Sequence, residues 1–286
     1  MEERGSLPQQ AGFTLIEAIV VIVVAGILAT IGVDFIVKPI EGYYALSRRA
    51  ALVDAADNAL QQMSREIRQA LPNSVRVSSD GHQLELLHTV DGGRYRARVS
   101  GDLANPGNIL DFGVTPPDIS FDVLGSLETT LKDTYQVVIY NLTASGTTGN
   151  DYAANPDDRG MVDASNSTST HIKFQSSPAP KFARSSPEQR FFIVDEAVSY
   201  VCDPSAGTLT RYSGYTPTNT GFPTDVADLG TGSIVSRHVS DATTACAFSY
   251  LPGAGQRSGL VTLQLTLADQ GEPIHLLDEV HVVNAP

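Results

Sequence analysis

The segment Phe13–Val33, FTLIEAIVVIVVAGILATIGV, constrains this chain more than any other, because so long an apolar run fits neither water nor a small domain core. At ~1.5 Å per residue its 21 residues span about 31 Å as a helix, roughly the hydrocarbon thickness of a bilayer. A cleaved secretory signal carries a shorter apolar stretch followed by small residues, whereas here an amphipathic segment follows. The run therefore predicts a membrane-spanning helix. Its single charge is Glu17. A carboxylate inside a bilayer costs about 2.5–3.5 kcal/mol, so Glu17 is a candidate functional residue. Its natural partner is a cation in the same low-dielectric layer.

The residues at the front edge of the run read AGFTLIE, positions 11–17. Gly directly before Phe-Thr-Leu-Ile-Glu, followed by the apolar run, resembles the cleavage site of type IV prepilins. That resemblance implies a leader over 1–12, cut by a prepilin peptidase after Gly12, and N-methylation of the new amine on Phe13. It also implies that Glu17 pairs with the Phe13 amine of a neighbouring subunit during assembly, and that Gly26 marks a point where the helix loosens. The leader MEERGSLPQQAG sets Glu2 and Glu3 against Arg4, so it is less basic than the family's leaders usually are.

The helix is expected to continue past the membrane. Leu46, Ala50, Val53, Leu60, Met63, Ile67 and Leu71 recur at spacings of three, four or seven, which marks one helical face. Gly26, Gly32 and Pro39 predict a bend or local unwinding between them, since Gly weakens a helix and Pro removes a donor. Pro72 is the expected stop. The boundaries follow: 1–12 leader, 13–38 transmembrane and filament-core helix, 39–72 amphipathic helix, 73–286 periplasmic β-rich head. The fold class is α+β, a long N-terminal helix packed on a mostly antiparallel sheet, in the type IV pilin manner.

Within the head, Gln83–Thr89 and Arg94–Val99 flank Asp91-Gly92-Gly93 and predict a hairpin. Tyr135–Tyr140 and Phe191–Cys202 are rich in β-branched and aromatic residues. Leu260–Leu267 alternates, with Val261, Leu263, Leu265 and Leu267 on one face. Ile274–Val283 follows a turn at Gly271-Glu272-Pro273 and is expected to pair with it. The composition of Asn141–Pro187 predicts loop with one strand near His171–Phe174, and Gly214–Gly232 a second loop.

Chemistry is sparse. With 19 Lys and Arg against 32 Asp and Glu, the net charge is −13, which argues against a nucleic-acid binder. His275, Glu279 and His281 share one face of a strand but read as a solvated polar face, as do His82 and His88. Asp151, Asp157 and Asp158 match no calcium-loop spacing. No nucleophile elbow, phosphate loop or dinucleotide fingerprint is present, so no enzyme, cofactor or metal is expected.

The head is large for a major pilin. Val198–Tyr212 resembles a strand-turn-strand of PilW-type and type II secretion J-type minor subunits. Ala51–Val77 and Leu276–Pro286 resemble minor pilins of mannose-sensitive haemagglutinin (MSHA) pilus systems. These resemblances imply a minor pilin that helps prime pilus assembly, with a J-type minor pseudopilin or a tip-displayed adhesin or DNA-binding subunit as alternatives. The implied partners are the peptidase, other minor and major pilins, the inner-membrane assembly platform and membrane lipid. In an oxidising periplasm Cys202 and Cys246, each at a strand border, are expected to form one disulfide; two free buried thiols are the alternative.

Overall fold

Helix α1 runs from Leu15 to Arg68, and the computed structural model describes residues 12–102, 104–217, 221–223, 226–253 and 258–286. The leader expected over 1–12 lies outside the described residues except for Gly12. Two compact units divide between Ala51 and Leu52.

In the first unit the helix is continuous. It passes through Gly26, Gly32 and Pro39 without the local unwinding expected there. Pro39 removes one N–H from the helical ladder, and the rest of the ladder carries the turn. Tyr43 and Tyr44 follow, with ring centroids 6.1 Å apart.

The second unit begins with the last turns of α1. Leu52, Ala56, Ala59, Leu60, Met63 and Ile67 are buried there. Each of the larger side chains contributes about 1.5–3 kcal/mol by leaving water. This stripe corrects the expected face: Leu46, Ala50 and Val53 are exposed. Ala56 and Ala59 are buried in the same core as side chains of the main and second sheets. Arg65 and Arg68 sit in the last turn, where cations complement the helix dipole. Beyond it the Leu71 N–H donates to the Leu87 carbonyl at 2.8 Å and Ala70 bridges His88, so the chain passes from helix to sheet before Pro72.

The strands are β1 (Arg76–Val77), β2 (Gln83–Arg94), β3 (Ser120–Asp122), β4 (Gln136–Val138), β5 (Asp158–Met161), β6 (His171–Lys173), β7 (Lys181–Phe182), β8 (Arg190–Asp203), β9 (Thr208–Ser213), β10 (Thr231–Arg237), β11 (Cys246–Leu251), β12 (Gly259–Asp269) and β13 (Glu272–Val282). The main sheet has the order β1-β2-β8-β4-β5-β7, with β9 on β8 and β10 on β9. A second sheet is β11-β12-β13, and β3 pairs with β6. Every pairing among the described strands is antiparallel.

The alternation read in β12 holds: Val261, Leu263, Leu265 and Leu267 are all fully buried. β13 pairs with it from Glu272 to Val282, closed by Gln270 and Gly271, both at positive φ as a two-residue hairpin turn requires. β8 and β9 form the strand-turn-strand expected over Val198–Tyr212. The Asp91-Gly92-Gly93 hairpin is not formed. β2 runs straight through those residues and pairs with β8 down to Arg94. The glycines serve close approach instead, since a Cβ on Gly92 would lie 2.9 Å from the Phe191 carbonyl oxygen. Asn141–Pro187 holds β5 and β7 besides the expected β6, strands too short to leave a periodic signal.

The disulfide joins Cys202 of β8 to Cys246 of β11, with Cα atoms 6.4 Å apart. It ties the main sheet to the second sheet inside the core that also holds the end of α1. A separate aromatic core lies under β3 and β6, where Phe121 meets Phe191 edge-on at 5.2 Å and Phe174 meets Phe182 at 5.1 Å.

Candidate functional site

Gly12, Phe13 and Thr14 precede α1 without regular structure, and Phe13 is 80% exposed. A peptide bond in such an irregular, accessible segment is open to a protease. The helix then starts abruptly. The Thr14 carbonyl accepts the first helical bond from the Ala18 N–H at 3.2 Å. The Thr14 hydroxyl accepts a hydrogen bond from the Glu17 N–H at 3.3 Å. Thr14 is therefore the N-cap, and Thr14-Leu15-Ile16-Glu17 carries the T-x-x-E spacing of a capping box. Sequence reasoning missed this role for Thr14, although a Ser or Thr three residues before Glu, ahead of an apolar run, is a readable signal.

The cap places Glu17 in the first turn, at the positive end of the helix dipole, where an anion is favoured. Among the described residues no side chain pairs with its carboxylate. Every residue from 12 to 31 is exposed all around the helix. The helix is long and apolar enough to cross a membrane. The helix is thus apolar around its whole circumference, with Glu17 as the one acid in its first turn. Gly26 and Gly32 have nothing within 4 Å of an added Cβ, so no contact within this unit requires them.

The other candidate residues are not brought together. His275, Glu279 and His281 lie on the exposed face of β13, and His275 Nδ1 is 2.8 Å from the Thr266 hydroxyl. His82 Nε2 lies 3.0 Å from the Thr243 carbonyl oxygen, while His88 pairs with Asp195 at 2.8 Å. Asp157 is held by Arg184. Among the described residues no group of three His, Cys, Asp or Glu side chains is placed to hold a metal. Cys202 and Cys246 are consumed by their disulfide.

Residues 7–33 match the family model of the prokaryotic N-terminal methylation motif. No curated protein and no solved structure matches the chain. The matched segment contains Gly12, Thr14, Glu17 and the whole apolar run Phe13–Val33. Together with the α+β fold, the motif supports a type IV pilin-like prepilin. It implies processing by a prepilin peptidase and pilin-type partners, and it is consistent with membrane anchoring followed by incorporation into a pilus or pseudopilus.

Proposed function

We propose that this chain is a minor pilin of an MSHA-type pilus, of the MshO kind, a structural subunit that helps initiate assembly and catalyses no reaction. Before assembly it is held in the bacterial inner membrane by α1, with the head in the periplasm. A prepilin peptidase removes 1–12 and methylates the Phe13 amine. The Phe13 amine of one subunit then meets Glu17 of another, and the pair sets the axial register as each subunit enters from the membrane platform. The observation that carries this reading is the capped, unpaired Glu17 at the head of a fully exposed apolar helix. The narrower assignment to MSHA-type minor pilins rests on the resemblance of Ala51–Val77 and Leu276–Pro286. The β8–β9 hairpin also favours a second reading, a J-type minor pseudopilin of a type II secretion system, with the same N-terminal chemistry. Neighbouring genes for a pilus assembly ATPase and a major pilin, rather than a secretin and exported hydrolases, separate the two.

Gly12 is the residue to test first. Only a very small side chain fits beside the scissile bond, so Gly12→Leu is expected to retain the leader and stay in the inner membrane. Gel mobility against the unaltered chain reads this directly. Full-rate cleavage of Gly12→Leu would contradict peptidase processing at this bond.

A further inference from the structure

The segment that leads from β4 into β5, and the first residue of β5, hide two acids that a solvent-exposed stretch has no reason to bury. Asp151 and Asp158 are 2% and 3% exposed. Asp158 opens β5, where its carbonyl accepts from the Ile139 N–H at 2.8 Å and its backbone pairs with Phe182 of β7. Neither oxygen of its carboxyl group has a hydrogen-bond partner, and Oδ2 of Asp151 has none either. The surrounding cations are largely committed elsewhere. Arg184 grips both oxygens of Asp157 at 3.1 and 3.0 Å, and Lys181 donates to the Asn155 side-chain oxygen. Arg159 reaches Asp151 only at 3.5 Å. The nearby Tyr152 phenol donates away, to the Ser74 carbonyl at 2.9 Å. Asp157 adds a further negative charge beside Asp158.

An ionised carboxylate buried without donors, as Asp158 would be, is too costly to persist, and the single long contact from Arg159 compensates Asp151 only in part. We propose that Asp151 and Asp158 form a proton-holding latch: protonated, they let residues 141–158 seat on the sheet, and loss of their protons loosens that segment. Burial pushes both groups above the ordinary carboxylate range. For Asp158 the neighbouring Asp151 and Asp157 push it further, and Arg159 only partly offsets the shift. The segment is tied down by bonds that ionisation would strain. The Asp151 N–H donates to Asn141 Oδ1 at 3.1 Å, and Asn141 Nδ2 donates to the Pro72 carbonyl at 2.7 Å, next to the end of α1.

The sign follows from linkage. The folded chain binds these protons more tightly than the unfolded chain. Stability is therefore greatest below the unfolded Asp value of about 4 and is lost as pH rises toward the raised folded values. The test is calorimetric unfolding of the full chain in detergent micelles, from about pH 6 to about pH 9. Asn mimics the protonated acid, so Asp158→Asn is expected to fold, to flatten the fall in Tm and to exceed the unaltered chain at the alkaline end. Asp151→Asn is expected to act in the same direction. A pH-independent Tm in the unaltered chain, an undiminished fall in Asp158→Asn, or failure of that variant to fold would overturn the latch. So would a calcium-dependent rise in Tm that Asp158→Asn abolishes, which would make a cation the neutralising partner.

Discussion

In the proposed assembly Glu17, favoured at the start of α1 by the helix dipole, is the acid that answers another chain's amine. Replacing it separates two steps that act on neighbouring atoms. Glu17→Ala leaves the Gly12–Phe13 bond and the apolar run unchanged, so cleavage is expected to proceed. Membrane insertion becomes slightly easier with the acid gone. Docking is expected to fail, because the neighbour's amine is left unpaired in a medium of low dielectric. Processed, membrane-held protein that no longer co-purifies with other pilin-like subunits is the expected outcome; undiminished co-purification would sink the ion-pair mechanism. A second residue-scale effect lies in the head. The Asp195 hydrogen bond raises His88, helped by the charges of Asp195, Glu66 and Glu196 and opposed by burial. The stability it contributes is full below the unfolded His value of about 6.5 and is lost as pH rises through the higher folded value. His88→Gln is expected to cost about 1 kcal/mol on the acid side, since the pair is partly screened by water, and nearly nothing at alkaline pH. Denaturant titrations at the two ends of that range check it.

Among elements, the join between β8 and β11 is the one held covalently. The two cysteines are 44 residues apart in sequence, and closing a loop of that size stabilises a fold by about 4 kcal/mol in the chain-entropy model. Cys202→Ala with Cys246→Ala is expected to lower head stability by up to that amount while leaving α1 helical. A double variant as stable as the unaltered chain would show that packing alone joins the sheets. Element by element, legibility followed the length of the repeat. β12 announced itself because Val261 to Leu267 alternate against a buried face, and α1 because nothing else accommodates its apolar run. The helix face before Leu60 was misplaced because buried alanines carry little hydrophobic signal beside an exposed Val53. The glycines at 92 and 93 carry the composition of a turn, yet tertiary pairing with Phe191 recruits them into a strand. Strands of two to four residues such as β5 and β7 leave no period to find. Buried polar pairings were also invisible: Arg76 faces a fully buried Glu85 across β1 and β2, and Tyr215, 130 residues away in sequence, donates to Glu85 at 2.6 Å.

At the scale of the whole molecule, the last turns of α1 share the core of the β-rich head, and the proposed partner contact falls to the first turn. A subunit at the apex of a filament has no neighbour above and no use for an acid there. Because it carries Glu17, this chain is expected to sit beneath another minor subunit, and a reconstituted tip complex with this chain alone at the apex would defeat that placement. Processing is tested by the mass of the N-terminal peptide from protein recovered from the producing cell. The expected chain begins at Phe13 with a methyl group on its amine. A chain still carrying residues 1–12, or one cut after the apolar run as a secretory signal would be, would contradict it.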